Sequence, residues 1–335
     1  MHPMASKTAK RLKRLAASLV FLREKKSAVP GDQFEVLLVQ RSRTMKFATS
    51  TWVFPGGVYD IADGNGVHDG WSFSTDVGIL RKICLREAFE ETGLLPLSEE
   101  TANSAVRDKQ SWKTWRERVY EDASKWEDFK LETFGDQQDI FSKVDPICCF
   151  LTPQVEADRS GRQYLTHFFL CTVPTRNDCE VESLPPWEIV DVDDNETVNA
   201  EWISPLEAIS RSKAGTMVMF PPQFYILQRL SAFDSVAEAA KSSSWFCSGS
   251  GEHDPSKLGI VMQPEGVPGN RAAFCLPYDE AHRSFPGPKG ALHRIEVYAP
   301  KADMRLLMND ESAPYIVGKE GLQKWKWKEI DFSKI

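Results

Sequence analysis

Short runs of Val, Leu and Phe alternate with turn-forming residues near the start of the chain. Ala17–Arg23 and Phe34–Arg41 have the apolar composition of buried strands. Between them stands Pro30-Gly31-Asp32, which has the composition of a tight turn. A third short run, Thr51–Phe54, is stopped by Pro55-Gly56-Gly57. This pattern predicts a β-hairpin followed by a short third strand.

The clearest helical pattern begins near Asp76 and ends at Thr92. Asp76 places a negative side chain where it suits the helix dipole, and Gly93 is a residue type at which helices commonly end. Apolar residues on several sides predict a helix that is buried on much of its surface. Its main stripe is apolar for two turns and then acidic, through Leu80, Ile83, Cys84, Glu87, Glu90 and Glu91.

The rest of the chain alternates between helical and strand-like patterns, which predicts an α/β fold. The polar stretch Ser98–Gln138 predicts one or two inserted helices. The later predicted elements are strands at Ile147–Leu151, Tyr164–Val173 and Asn199–Ile203, helices after Ser204-Pro205 and through Phe224–Ala240, a loop over Ser242–Pro268, and short strands over 270–330.

Composition narrows the class of protein. With 335 residues, 41% of them hydrophobic and 27% charged, the chain resembles ordinary soluble globular proteins. Its net charge of −7 argues against a partner held by bulk charge, such as nucleic acid. The seven cysteines form no CxxC pair and indicate reduced thiols. The longest early apolar run, Leu15–Leu22, is too short to span a membrane. We interpret it as the first strand, and the alternative is part of a transit peptide.

The acidic end of the predicted helix has the chemistry of a metal site. Like charges three or four residues apart destabilise a helix by about 0.2–0.5 kcal/mol per pair, and by more when they are desolvated. A divalent cation such as Mg²⁺ or Mn²⁺ offsets that repulsion, because it prefers clustered carboxylate oxygens. Arg86 lies four residues before Glu90 and can orient its carboxylate. The alternative is a surface helix with ordinary ion pairs.

Two segments together resemble the Nudix box, G-x5-E-x7-R-E-U-x-E-E-x-G-U. They are Trp52–Gly57 and Arg86–Leu94, and the second matches the box apart from Ala88, where a bulky aliphatic residue is usual. The resemblance implies a mixed β-sheet sandwiched between helices and the hydrolysis of diphosphates of the type X–O–P–O–P–X′. It also implies the metal ligands Glu87, Glu90 and Glu91 for Mg²⁺ or Mn²⁺, the catalytic residues Glu87 and Arg86, and phosphate contacts at Gly56 and Gly57.

The first half of the box departs from the family pattern. Asp63 stands at the position of the family's glutamate after Gly57, and 22 residues, not seven, separate it from Arg86. Counting back from Arg86 by the family's spacing gives Gly78 instead. The fourth carboxylate of the box is therefore left open. The catalytic base also stays open between a box glutamate and a loop glutamate, with the loop candidates Glu182, Glu188 and Glu196.

Leu37–Gly57 resembles the coenzyme A signature of some Nudix enzymes, L-L-T-x-[RS]-[SA]-x3-R-x3-G-x3-F-P-G-G. The spacing holds throughout, with substitutions at Val39, Lys46 and Ser50. Arg41, Arg43 and Lys46 form a basic patch that would suit the extra 3′-phosphate of coenzyme A. The alternative is that these charges only keep a sheet edge soluble.

The wider layout resembles one branch of the family, the peroxisomal coenzyme A diphosphatases (Nudix motif 19 type). The shared features are the insertion in the box and the segments 115–118, 166–172, 202–208 and 221–225. This resemblance implies cleavage of coenzyme A and acyl-CoA esters to 3′,5′-ADP and (acyl-)4′-phosphopantetheine. Ser333-Lys334-Ile335 resembles the Ser-Lys-Leu address, which implies recognition by the peroxisomal import receptor. Cytoplasm or mitochondrion is the alternative location.

These patterns predict one elaborated domain, although length alone suggested two. We expect a Nudix hydrolase domain over 12–240, with insertions at 64–78 and 98–140, and a C-terminal extension over 241–335 that packs on it. Two other functions stay open. One is a Nudix pyrophosphatase for ADP-ribose, nucleotide sugars or an RNA cap, and the other is a module that binds nucleotides without cleaving them.

Overall fold

The structure is a computed structural model. It describes residues 13–25, 32–42, 50–64, 76–104, 108–137, 140–153, 163–174, 184–192, 196–241, 261–262, 264–268, 270–277, 279–284, 289, 293–298, 303–308, 315–318 and 321–324. Features named above that lie outside these ranges include Arg43, Lys46, Glu182 and Ser333-Lys334-Ile335, Pro30-Gly31 of the predicted turn, and most of the insertion at 64–78.

A mixed sheet of eight strands forms the centre of the fold. The strands are β1 (Lys13–Glu24), β2 (Phe34–Arg41), β3 (Trp52–Val53), β4 (Gly56–Val58), β5 (Asp145–Leu151), β6 (Gln163–Thr172), β7 (Thr197–Ile203) and β8 (Val261–Met262). Their order is β3-β2-β1-β6-β5-β8, with β4 paired to β1 and β7 to β2. β1 and β6 run parallel, whereas β1 and β2 run antiparallel and form the predicted hairpin.

Helices cover both faces of this sheet. They are α1 (Val77–Thr92), α2 (Glu99–Ser104), α3 (Lys109–Glu121), α4 (Lys125–Phe134), α5 (Pro205–Lys213), α6 (Pro221–Leu230) and α7 (Val236–Lys241). Short 3₁₀ turns lie at Ile61–Asp63 and Pro186–Glu188. The prediction of one or two inserted helices was wrong, because the described part of 98–138 holds three. The short, polar α2 carries no apolar stripe that would reveal it in the sequence.

Two apolar cores lie on opposite faces of the sheet. One face packs against α1, α3 and α4 and includes Phe21, Phe89 and Phe129. The other packs against α5 and α6 and includes Phe168 and Phe224. A strand alternates its side chains between two faces, so neighbouring residues such as Phe168 and Phe169 enter different cores. The predicted arrangement of a mixed sheet sandwiched between helices is confirmed.

The last third of the chain adds small antiparallel sheets. β9 (Glu265–Val267), β10 (Asn270–Cys275), β11 (His293–Tyr298) and β12 (Asp303–Met308) form one, and β13 (Tyr315–Gly318) pairs with β14 (Gly321–Lys324). β8 and β9 fall in the stretch predicted as a loop, and that prediction was wrong, because strands of two or three residues are too short to show alternation. β8 pairs with β5 in the main sheet. The proposed division at residue 240 stays a prediction.

Candidate active site

The helix α1 carries the acidic cluster, and its ends form as the sequence predicts. The Asp76 side chain accepts a hydrogen bond from the Gly78 N–H at 2.7 Å, which caps the N-terminus. Gly93 adopts the left-handed conformation with φ of 70°, and its N–H donates to the Phe89 carbonyl at 2.8 Å. These caps fix the length of the helix and thereby the turn on which the glutamates stand.

Arg86 lies at the centre of the cluster and pairs with Asp63 of the preceding loop. Its Nε and Nη2 donate to the two oxygens of Asp63 at 2.8 and 2.9 Å. Both side chains are almost fully buried. Asp63 also accepts from the Asp60 N–H at 2.8 Å, so the 3₁₀ turn at Ile61–Asp63 holds it in place. A bidentate arginine–carboxylate pair of this kind is strong and strongly oriented. Asp63 is therefore the loop carboxylate that meets Arg86, and its role as the fourth box carboxylate stays a prediction.

Arg86 also holds two glutamates of its own helix. Its Nη1 donates to Glu90 Oε1 at 2.7 Å, and its Nη2 donates to Glu87 Oε1 at 3.0 Å. Burial alone would lower the pKa of Arg86, but the hydrogen bond to Asp63 and the charges of Glu87 and Glu90 raise it above its ordinary value. Arg86 thus stays charged and orients three carboxyl groups at once.

The Gly-Gly turn in β4 meets the other glutamates directly. The Gly56 N–H donates to Glu91 Oε2 at 2.9 Å. A Cβ on Gly57 would lie 2.1 Å from Glu87 Oε2, so the missing side chain makes room for that carboxylate. Because Gly57 pairs with Ala17 in β1, the sheet presents this turn to the acidic end of α1.

Burial raises the pKa of each glutamate in the cluster. For Glu87 the pKa rises to about 8, with Arg86 opposing the effect of burial. For Glu90 it rises to about 7, again with Arg86 opposing. For Glu91 burial and then the charge of Glu87 raise the pKa well above its ordinary value. Ionising all three glutamates is therefore unfavourable in the metal-free protein, because the one central guanidinium group does not outweigh the effect of burial.

The chemistry of this donor set fits a divalent cation. Buried carboxylate oxygens with a deficit of positive charge are what Mg²⁺ and Mn²⁺ prefer. Within the described ranges, however, no three acidic, histidine or cysteine side chains converge as closely as a set of metal ligands. Two of the glutamates instead turn toward Arg86 and one toward Gly56. Glu87, Glu90 and Glu91 as metal ligands stay a prediction.

Arg41 ends β2 close to the same cluster. Its charge lowers the pKa of Glu91 against the effect of burial, which shows that the two groups lie near each other. The Arg41 Nε is buried and has no hydrogen-bond partner among the described residues. An unsatisfied buried donor beside an acidic cluster is suited to an anionic oxygen atom. Arg41 is thus the one described member of the predicted basic patch, and it lies at the carboxylates.

The two described loop glutamates, Glu188 and Glu196, lie in different places in the structure. The charge of Glu196 raises the pKa values of Glu90 and Glu91, so Glu196 lies near them at the start of β7. Its carbonyl accepts from the Ser42 N–H at 2.8 Å, which ties it to the end of β2. Glu188 lies in the 3₁₀ turn at Pro186–Glu188. The charge of Glu196 places that residue near the cluster, and the choice of catalytic base stays open.

The raised pKa values predict how stability depends on pH in the metal-free protein. Between the ordinary glutamate pKa and the raised values of about 7 for Glu90 and about 8 for Glu87, the folded state retains protons that the unfolded state has released. Stability must therefore fall as the pH rises through that window. We expect the Tm measured in EDTA to decrease from pH 6.5 to 8, and added MnCl₂ to restore it most at pH 8.

The main competing titration opposes this trend and fades within the pH window. Burial lowers the pKa of His167 and of His293 to about 4, so both are neutral in the folded state, and their opposing effect ends as the unfolded histidines lose their protons above the ordinary pKa of 6.5. The matched variants are Glu87→Gln, which should flatten the slope, and the exposed Glu117→Gln, which should leave it unchanged. A Tm in EDTA that stays level or rises between pH 6.5 and 8 would contradict the prediction.

Comparisons with known proteins find relatives that carry Nudix domains. Residues 65–230 match the family model described as the NUDT19 Nudix domain. The acyl-coenzyme A diphosphatase NUDT19 of Gallus gallus is 32% identical over 256 residues, which are 63% of this chain and 65% of that protein. The protein of the same name from Xenopus laevis is 26% identical over 252 residues, 63% of each. The chain thus spans less than two thirds of the length of these relatives.

A solved structure shows the same fold. The Nudix hydrolase from Alicyclobacillus acidocaldarius superposes with a TM-score of 0.52 at 21% identity, covering 70% of this chain and 97% of that one. The mixed sheet between helices is the fold of this Nudix hydrolase, and residues 65–230, which include the helix with its arginine and glutamates, match the family model. The chain therefore carries a Nudix domain of the NUDT19 type.

Proposed function

We propose that the protein hydrolyses the diphosphate bond of coenzyme A and acyl-CoA esters. The expected products are 3′,5′-ADP and (acyl-)4′-phosphopantetheine. The observation that carries the reaction type is the buried cluster of Glu87, Glu90 and Glu91, oriented by one arginine and facing a Gly-Gly turn. The substrate is supported by the relatives, which are named acyl-coenzyme A diphosphatases, and by the basic residue Arg41 beside the cluster.

The cluster would hold Mg²⁺ or Mn²⁺ through Glu87, Glu90 and Glu91. Such a cation would neutralise the charge of the diphosphate and would lower the pKa of the attacking water, which then loses its proton more readily. The protein's own part is positioning, which is the main requirement of diphosphate hydrolysis. Arg86 orients Glu87 and Glu90 through hydrogen bonds of 3.0 and 2.7 Å, and the Gly56 N–H orients Glu91.

The neighbouring groups would bind the substrate. Arg41 can donate to a phosphate oxygen, because its Nε has no hydrogen-bond partner among the described residues. Gly57 leaves room beside its backbone for the Glu87 carboxylate, and the contacts of Gly56 and Gly57 with phosphate stay a prediction. Arg43 and Lys46 complete the basic patch in the sequence but lie outside the described residues. Their contact with the 3′-phosphate of coenzyme A stays a prediction.

Product analysis tests this function. The full chain is incubated with coenzyme A and MnCl₂ in ¹⁸O-labelled water, and the products are measured by mass spectrometry. We expect 3′,5′-ADP and 4′-phosphopantetheine, with the label in only one of them because a single phosphorus is attacked. ADP-ribose serves as the competing substrate. Cleavage of ADP-ribose with coenzyme A left intact would contradict the substrate, and no cleavage of any diphosphate would indicate a binding module.

The cellular location follows from a part of the chain outside the described residues. Ser333-Lys334-Ile335 is the basis of the proposed peroxisomal location and of the import receptor as a partner. Both stay predictions. Within the described ranges, each helix is too short or too polar to cross a membrane.

A further inference from the structure

The carbonyl groups at the end of α1 are satisfied from outside the helix. The last turn of a helix leaves several carbonyls without an intrahelical donor. In α1 the carbonyl of Phe89 accepts from the Gly93 N–H, and that of Thr92 accepts from the Asp191 N–H at 2.9 Å. The carbonyls of Glu90 and Glu91, the two glutamates of the last turn, lie between them and need other donors.

Arg116 supplies those donors. Its Nε donates to the Glu90 carbonyl at 2.9 Å, and its Nη2 donates to the Glu91 carbonyl at 3.0 Å. The same guanidinium reaches Asp191 Oδ2 at 3.2 Å through Nη1. The Thr197 hydroxyl adds a second donor to the Glu91 carbonyl at 3.2 Å. One buried cation therefore clamps two successive peptide groups at the negative end of the helix, where a positive charge is favourable.

The inserted helix α3 brings Arg116 to this position. Trp112, one turn earlier in α3, donates through Nε1 to the Gly93 carbonyl at 2.9 Å. Its ring meets Phe89 edge-on at 5.3 Å, and Phe129 of α4 stacks on Phe89 at 4.5 Å. The insertion is thus packed against α1, and it caps the end of α1 with two side chains.

We propose that Arg116 is a positioning residue for the metal-binding glutamates. The proposal rests on the proposed function, because it concerns the metal site of that reaction. Arg86 and Gly56 hold the carboxyl ends of Glu90 and Glu91, whereas Arg116 holds their backbone. A last helical turn without donors frays, and the two carboxylates would then move apart. A lysine cannot replace the planar fork that spans both carbonyls.

Metal affinity in the absence of substrate tests this role. Free Mn²⁺ is measured by electron paramagnetic resonance with the full-length chain, for Arg116→Lys, Arg116→Met and the exposed control Lys113→Met in the same helix. We expect about a tenfold weaker Mn²⁺ affinity for Arg116→Lys and a larger loss for Arg116→Met, as for residues that orient metal ligands. The kcat should fall in parallel with little change in KM, and Lys113→Met should match the wild type.

The outcomes separate this proposal from the proposed function. Wild-type Mn²⁺ affinity and kcat in folded Arg116→Lys would overturn the positioning role, even if the Tm is lower, because the residue would then be only structural. If Arg116→Met does not fold, Arg116→Lys decides alone. If the wild type binds Mn²⁺ but leaves coenzyme A intact, the proposed function fails, and the affinity of Arg116→Lys still decides the positioning role. A wild type that binds no Mn²⁺ would overturn both.

Discussion

Glu91→Gln is expected to lower kcat for coenzyme A by about 100- to 1,000-fold, the range seen when one group that stabilises transition-state charge is removed. Glutamine keeps the size of the side chain and an oxygen that can accept the 2.9 Å hydrogen bond from the Gly56 N–H. The substitution therefore removes a charge rather than a contact. The loss of that charge weakens the binding of a divalent cation. With the cation goes its neutralisation of the negative charge that develops on the diphosphate.

Stability should change in the opposite direction. Burial and the charge of Glu87 make the ionised form of Glu91 unfavourable, so the metal-free Glu91→Gln protein should have a higher Tm than the wild type at pH 8. The matched control is Glu117→Gln, an exposed glutamate on α3, which should keep full activity. Full activity in folded Glu91→Gln, measured by product formation with saturating MnCl₂, would remove Glu91 from the site.

Gly57→Ala is expected to lower kcat by about 100-fold, the cost of misplacing a reacting group by about 1 Å. The new Cβ would lie 2.1 Å from Glu87 Oε2 and 2.3 Å from its Cδ, so Glu87 must move. The obstructed group is the far end of a flexible side chain, and the fold should survive. A Cβ on Gly56, in contrast, would lie 2.3 Å from the backbone carbonyl of Ala17, and that change tests the fold rather than the site.

A double variant checks that Glu87 mediates this effect. If Gly57→Ala acts by displacing Glu87, then adding it to Glu87→Gln should cost little more than Glu87→Gln alone, because both changes disable one group. Gly266→Ala in β9 is the matched control, since a Cβ there has nothing within 4 Å. Additive losses of kcat in the double variant would show that Gly57 acts through some other contact, and unchanged kcat in Gly57→Ala would contradict the geometry.

The local features of α1 were predictable from the sequence. Asp76, Gly93 and the 3.6-residue period act within one or two turns, so the pattern alone predicts where the helix begins, where it ends and which turn carries the glutamates. The hairpin of β1 and β2 was predictable for the same reason, since a turn joins two apolar runs. The short strands β8 and β9 were not, because two or three residues are too few to show alternation, and β8 in addition pairs with the distant strand β5.

The fourth carboxylate shows where spacing fails. Counting forward from Gly57 gives Asp63 and counting back from Arg86 gives Gly78, because the stretch between Gly57 and Arg86 is longer than in the family pattern. The structure shows that Asp63 meets Arg86 with two hydrogen bonds, which the count could not predict. The spacing of a motif holds only while the chain between its parts keeps its length, whereas an ion pair does not depend on that length.

The sequence by itself determined the residue types of the site, their order on α1 and the fold class, because these depend on local periodicity and turn chemistry. Only the tertiary structure decided which distant groups meet them. It placed Arg41 beside Glu91, and it brought Arg116 of the inserted α3 to the carbonyls of Glu90 and Glu91. The physical reason is that such contacts depend on how helices pack on a sheet. The spacing of residues along the chain does not predict that packing.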